Sequence, residues 1–565
     1  MTPLFKLNPS QFIQDETFLE KPKKGGEISV ALVYPNEYSV GISSLGYQTV
    51  WKIINSYPSV YCERAFTGRF PQNPVKTVES KRSIGEFDII AFSLSFELDA
   101  LNIVSALKNS GVPLEADKRR GDAPLILIGG VVPTLNPEPL AEIADVVLIG
   151  EAEESLPELL ERLLELRGAE RNKLLAGIAK VPGVYVPKFY RVEYGAGIEI
   201  VSRHAIKADA PSEITRRRVT RIDDYPVYSA ILTPYSEFGD MGLVEISRGC
   251  AGACRFCAAG FIYRPVRYRS VASITPCIEK LLEHRERIGL VASSGTEHPQ
   301  VEEIIEVIEK RGGKVSFASL RVELIGDEIL KAIARSSKTI TIAPEAGSEK
   351  LRQAVGKAED EDVILDAVER ITACGIPNIK LYFMVGLPNE TMDDINDVSE
   401  LVRKIVHMHC KKKSHHSVSV SVAPFVPKPH TPFGYHPMER EEKIQAKINV
   451  LRPALRKIGV QARFENISES FFQAVISRGD RRVHELFKRA VKLDGSITRL
   501  LKDAPNWVSD IVYIPRTVQD SLPWDFIKAH IGESHLYDEY HRGLLAQKVV
   551  PCKPARCKSC SACSG

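Results

Sequence analysis

Glu245-Ile-Ser-Arg-Gly-Cys-Ala-Gly-Ala-Cys-Arg-Phe-Cys-Ala-Ala-Gly260 sets Cys250, Cys254 and Cys257 in a C-x3-C-x2-C spacing. Three thiolates hold three irons of a four-iron cluster and leave the fourth iron open to a small molecule. An open metal position marks a catalytic rather than a structural site. Positions i, i+4 and i+7 also suit the buried stripe of an amphipathic helix, because Cys packs as a small hydrophobe. Gly249 and Gly252 weigh against that alternative: they are poor helix residues that let backbone fold closely around a bulky inorganic group. The stretch is therefore expected to carry a metal centre.

Outward from the triplet, 565 residues suggest three or four units at ~150 residues per domain. A hydrophobic content of 44% and a charged content of 26% are those of an ordinary globular protein. A net charge of +3 argues for no polyanionic partner. No apolar core with a cleavage site follows Met1, and no window approaches the ~20 apolar residues of a membrane span. Eleven cysteines, seven of them in two tight clusters, read as metal ligands in a reducing cytoplasm rather than as disulfides.

Residues 26–175 alternate short apolar strands (28–34, 88–94, 125–128, 146–149) with helices (44–55, 99–109). Continuous apolar strands between helices indicate a parallel sheet covered on both faces. Ligands bind beyond the carboxyl ends of such strands, here Ser93-Leu-Ser95, Gly129-Gly130 and Gly150-Glu151. A hairpin is expected over 184–201, turned at Gly195-Ala-Gly197. A second alternation starts at Gly242, with strands at 242–247, 288–293, 314–320, 339–343, 378–385 and 417–423. Beyond Met438 the chain reads as polar and helical, and it ends in a second cysteine group. The expected fold class is α/β: a doubly wound Rossmann-like domain (1–183), a hairpin and linker (184–238) and a partial (β/α)6 barrel (239–438). A helical region (439–548) and a cysteine-rich tail (549–565) follow.

Ser-Arg-Gly-Cys250-x3-Cys-Arg-Phe-Cys257 resembles the signature of the radical S-adenosylmethionine (radical SAM) superfamily. The resemblance continues in order through Thr341-Ile-Ala-Pro-Glu-Ala-Gly-Ser348, Lys380-Leu-Tyr-Phe-Met-Val-Gly-Leu-Pro388 and Phe425-Val-Pro-Lys-Pro-His-Thr-Pro-Phe433. The whole chain is similar to the subgroup with an N-terminal cobalamin-binding-type domain. The resemblance implies a [4Fe-4S] cluster on the three cysteines, with SAM on the open iron. One electron then splits the sulfonium to methionine and a 5′-deoxyadenosyl radical, while the protein places the cofactor and excludes water. Phe256 matches the aromatic position near the adenine; a core aromatic is the other reading. Ser294 lies in Ser293-Ser-Gly-Thr-Glu297, where relatives hold the SAM amino group, although this chain departs from their Gly-Gly-Glu. Glu345 follows the fourth strand, where it either meets SAM or starts a helix. Gly386 and Pro388 let backbone approach the adenine.

Cobalamin domains that ligate cobalt do so from an Asp-x-His-x-x-Gly loop, whereas Pro35-Asn-Glu-Tyr-Ser-Val-Gly41 has no histidine. Binding without a protein ligand to cobalt is left to Ser93, Ser95, Gly129 and Gly130; a degenerate domain for substrate or partner is the alternative. Cys552, Cys557, Cys560 and Cys563 suit an auxiliary iron–sulfur cluster or a zinc, with disulfides as the weaker reading. The run His407-Met-His-Cys-Lys-Lys-Lys-Ser-His-His416 reads as a solvated loop. Arg216-Arg-Arg218 and Lys411-Lys-Lys413 lack the aromatic platform of an RNA site. The expected activity is methylation, methylthiolation or rearrangement of an unnamed substrate, with a flavodoxin or ferredoxin as reductant. The alternative is a non-catalytic iron–sulfur or zinc scaffold.

Overall fold

The computed structural model describes residues 13–207, 210–317, 320–357, 359–411, 415–552, 560 and 562–563. Strand β1 (Ile28–Tyr34) is buried at every position, so both of its faces are covered. With β2 (Val60–Phe66), β3 (Ile89–Ser93), β4 (Leu125–Gly129), β5 (Val146–Leu148) and β6 (Val184–Tyr185) it forms one sheet in the order β2-β1-β3-β4-β5-β6. The first five strands are parallel, with Val30 opposite Ile89 and Ile128 opposite Val147, and β6 runs antiparallel on β5. In this order the chain reverses direction between β1 and β3, the switch point where doubly wound sheets bind ligands. Strand β2 escapes an apolar reading because it buries charge. Arg64 is fully buried between Glu16 and Glu79, each at 2.7 Å. The expected hairpin starts later than 184: Val184–Tyr185 belongs to the sheet, and the hairpin pairs Tyr190–Tyr194 with Ile200–Ala205.

The second alternation folds into parallel strands in two hydrogen-bonded groups. One is β7 (Gly242–Glu245), β8 (Arg287–Val291) and β9 (Lys314–Phe317); the other is β10 (Thr339–Glu345), β11 (Asn378–Val385), β12 (Ser417–Pro424) and β13 (Gln461–Phe464). Six of these seven match the expected barrel strands. The seventh, β13, interrupts the otherwise helical region after Met438 and lies parallel to β12. Its exposed Gln461 and Arg463 hide a four-residue edge strand in a polar stretch.

Residues 412–414 of the run 407–416 lie outside the described residues, and the rest is not simply a solvated loop. His407 to Cys410 finish the helix Met392–Cys410, and His409 is fully buried, bonded to Pro377 O at 3.1 Å and Thr372 Oγ1 at 2.8 Å. The His416 ring is buried 4.4 Å from that of His409. Among the described residues no helix is long and apolar enough to cross a membrane.

Candidate active site

The cysteine stretch leaves β7 through Ser247–Arg248, which pairs with Arg267–Tyr268. Gly249 follows at φ +88, where a Cβ would lie 2.5 Å from Tyr263 O. Only glycine fits there. Residues 250–258 are irregular and the next helix starts at Ala259, so the three cysteines form no helical stripe.

Burial pushes the Cys250 and Cys254 thiols up to about 12, and it raises Cys257 as well. Cys250 and Cys254 also feel their neighbours in the triplet. Without a positive centre such thiols stay protonated; a metal strips them outright. No two of the described cysteines are joined in a disulfide. Among the described residues no three His, Cys, Asp or Glu side chains converge on a single-ion site. A trio that is grouped but not convergent suits a cluster, in which each thiolate takes a different iron.

Three clamps hold this loop. Arg255, fully buried, donates to Gln353 O at 3.0 Å, Ala354 O at 2.9 Å and Gln547 O at 3.0 Å, and pairs with Glu539 at 3.1 Å. Glu297 accepts the Ala251 N–H at 3.1 Å, lies 4.0 Å from the Cys250 sulfur and is held by Arg321 at 2.6 Å. Cys552 donates its backbone N–H to Ala251 O at 2.8 Å, which lays the C-terminal segment on the loop.

Glu345 ends β10 at φ +69 beside a pairing irregularity between Ile342 and Glu345. Burial pushes its carboxyl up to about 7, with Lys357 pulling the other way. It does not start the helix Glu349–Val355, whose N-terminus is capped by the Ser348 hydroxyl accepting from Leu351 N at 3.2 Å. Its charge reaches Cys254 and Cys257.

A cavity of about 630 Å³ joins the N-terminal sheet to the barrel. Ser93, Ser95, Gly129 and Gly130 line it from the strand ends of the sheet, and Leu243, Glu245 and Val291 from β7 and β8. It reaches Gly249, next to Cys250. Its polar wall is tied together by Arg248, which pairs with Glu151 at 3.1 Å, Glu153 at 2.7 Å and Glu245 at 2.9 Å.

The other sequence candidates are spread more widely. Phe256 is half-buried against the core. Ser294 is buried with its hydroxyl 3.5 Å from that of Thr296. Gly386 follows β11 at φ +82 and gives its N–H to Glu390 at 2.7 Å; Pro388 is buried in the same turn. Cys557 lies outside the described residues. Cys552 sits by the cysteine loop, and Ala562, next to Cys563, accepts from Arg218 at 2.9 Å; Cys560 is buried. The described three do not come together on one ion. The arginine run is spent internally: Arg216 donates to Ala529 O at 3.1 Å and Arg217 pairs with Glu154 and Glu158. Sequence reasoning missed Arg321 and Lys357, which no motif marks, and quoted Glu297 without singling it out.

Residues 46–187 match the family model "Radical SAM proteins, N-terminal", and residues 244–402 match "Radical SAM superfamily". The uncharacterized protein MJ0966 of Methanocaldococcus jannaschii is 30% identical over 84% of this chain and 94% of its own length. The tRNA-2-methylthio-N(6)-dimethylallyladenosine synthase of Carboxydothermus hydrogenoformans is 27% identical over 30% of this chain, which spans only 42% of that enzyme. Among solved structures, the radical S-adenosylmethionine methyltransferase TsrM of Kitasatospora setae, with cobalamin and a [4Fe-4S] cluster bound, aligns at TM-score 0.47 and 13% identity over 72% of this chain and 77% of its own. The cobalamin-dependent S-adenosylmethionine radical enzyme OxsB aligns at TM-score 0.45 and 15% identity over 93% of this chain and 80% of its own. The chain belongs to the radical SAM superfamily and is an enzyme. Within that superfamily it shares nearly the full length of the methanogen protein MJ0966.

Proposed function

We propose that this enzyme transfers a methyl group with the help of a corrinoid seated between the N-terminal sheet and the barrel. The cavity of about 630 Å³ carries the reading, because it opens on the sheet's switch point at one side and on Gly249 at the other. Its walls are mostly apolar, with Leu45, Leu127, Leu148, Leu156 and Val291 keeping water out and a few hydroxyls set among them. None of the residues lining it is His, Cys or Met, in keeping with the histidine-free Pro35 to Gly41.

When bound, a four-iron cluster supplies the electron that splits SAM, and a corrinoid supplies a methyl carrier. Cys250, Cys254 and Cys257 would hold the cluster, while Ser93, Ser95, Gly129 and Gly130 would border the corrinoid. Glu297 fixes the cysteine loop through the Ala251 N–H. Glu345, whose carboxyl burial pushes up to about 7 and whose charge reaches Cys254 and Cys257, would border the cluster. Similarity to the tRNA methylthio-modifying synthase raises sulfur insertion as a second reading. That chemistry asks for a second thiolate-held cluster. Cys62 is the only cysteine before Cys250, so the N-terminal domain offers no second cysteine group for it. Methyl transfer is favoured.

An ideal Cβ on Gly129 meets nothing nearer than Leu148 Cβ at 3.9 Å, so the backbone of this cavity-lining position accepts a side chain's first carbon. Anaerobically purified wild type is expected to carry one corrinoid per chain by absorbance. Gly129→Leu should lose corrinoid at least tenfold and keep its iron. Full corrinoid retention in Gly129→Leu, or none in wild type grown with cobalamin, overturns the proposal. Cys254→Ala should abolish both cluster and 5′-deoxyadenosine formation.

A further inference from the structure

Two half-buried cations lie near the cysteine triplet. Arg321 stands beside Cys250, already committed to Glu297 and Glu323. Lys357 stands beside Cys254 and Cys257 and is anchored on a neutral group, its Nζ donating to Ala343 O of β10 at 3.1 Å. The backbone delivers it there. Gly356 closes the helix Glu349–Val355 at φ +83 and rests directly on the cysteine loop, where a Cβ would lie 2.8 Å from Ala253 O and 3.0 Å from the Cys254 Cα. Arg255 N, the next residue of the loop, donates to Val355 O at 2.9 Å. The helix end and the loop thus pack together, and the bond from Lys357 Nζ to Ala343 O holds the ammonium on that side of the triplet.

We propose that Lys357 is a positioning residue that acts through the cluster, its fixed charge making the metal centre on Cys250, Cys254 and Cys257 easier to reduce. The inference rests on the cluster reading above. Three thiolates outweigh the charge of the iron–sulfide core, so the centre is anionic and gains a further negative charge when it accepts one electron from a donor such as dithionite. A nearby cation in a water-poor site favours the more negative state. Glu359 and Glu345 lie within reach of Lys357 and oppose it in part.

The test is a potentiometric titration of the reconstituted full-length protein, followed by electron paramagnetic resonance, with iron and sulfide measured on every sample. Lys357→Met is expected to hold a full cluster whose reduced fraction at a fixed potential falls about tenfold, a shift of about 59 mV for one electron. Lys357→Arg should stay within about twofold of wild type. A fully loaded Lys357→Met with an unmoved midpoint overturns the inference. If that variant does not load, Lys357→Gln, neutral but still able to donate toward Ala343 O, is titrated in its place: its reduced fraction should fall likewise, and an unmoved midpoint in loaded Lys357→Gln overturns the inference equally. A wild type without iron defeats the cluster reading itself, whereas loaded wild type with unmoved variants defeats only the role of Lys357.

Discussion

Glu345 occupies a backbone conformation that glycine would take at less cost. For an L-residue the left-handed region costs roughly 1–2 kcal/mol, and such strain gathers at working sites. Its φ of +69 turns the carboxyl from the end of β10 toward Cys254 and Cys257. Glu345→Gly is therefore expected to raise stability by about 1 kcal/mol in thermal melts while weakening SAM binding about tenfold in equilibrium dialysis. Unchanged SAM affinity would assign Glu345 to the fold alone. The position was legible because it falls in an ordered motif after a barrel strand. Lys357 and Arg321 were not legible, since their approach to the triplet depends on how the barrel closes, a relation that no local pattern encodes.

At the scale of elements, the cysteine loop is held from outside the barrel as well as from within. Arg255 gathers the end of the helix Glu349–Val355, Glu539 on the helix Glu533–Leu544 and Gln547 beyond it. Removing Arg255 strands three backbone carbonyls, each unmet acceptor costing about 1–3 kcal/mol, while Arg542 at 2.9 Å keeps Glu539 paired. Arg255→Ala should lower unfolding free energy by about 3 kcal/mol in denaturant titrations and speed loss of iron in air. Lys at 255 should not rescue, because an ammonium cannot fork across several acceptors. The apolar strands β1, β3, β4 and β5 could be read from their composition. Strands β2 and β13 could not: Glu63 and Arg64 break the apolar run of one, and the other alternates exposed polar residues. The histidine run misled for a related reason, since its polar letters hide two buried rings, those of His409 and His416, packed 4.4 Å apart.

Across the whole molecule, charge pairs stitch the N-terminal sheet to everything after it. Glu151 meets Arg267 at 2.6 Å, Glu138 meets Arg481 at 2.9 Å and Glu97 meets Lys428. His436, bonded to the Tyr540 hydroxyl at 3.1 Å and facing Arg478, lies where the barrel meets the C-terminal helices. Burial first, then Arg478, depresses it to about 4. A histidine depressed in the fold takes up its proton in the unfolded chain below about pH 6.5, so its contribution to stability is lost as pH falls from there toward 4. Wild type should therefore lose more stability than His436→Gln between pH 7 and pH 5. The slope of the difference should be no steeper than about 1.4 kcal/mol per pH unit, and equal slopes in the two proteins would refute the assignment.

The roof over Cys250, Cys254 and Cys257 is built from chain that is synthesised much later than they are: Gln547 follows Arg255 by 292 residues. At ribosomal speeds of about 5–20 residues per second, that gap lasts on the order of fifteen seconds to a minute. During it the contact from Arg255 to Gln547 does not exist, so Cys250, Cys254 and Cys257 are expected to be more open to iron donors and to oxygen alike while the chain is still being made.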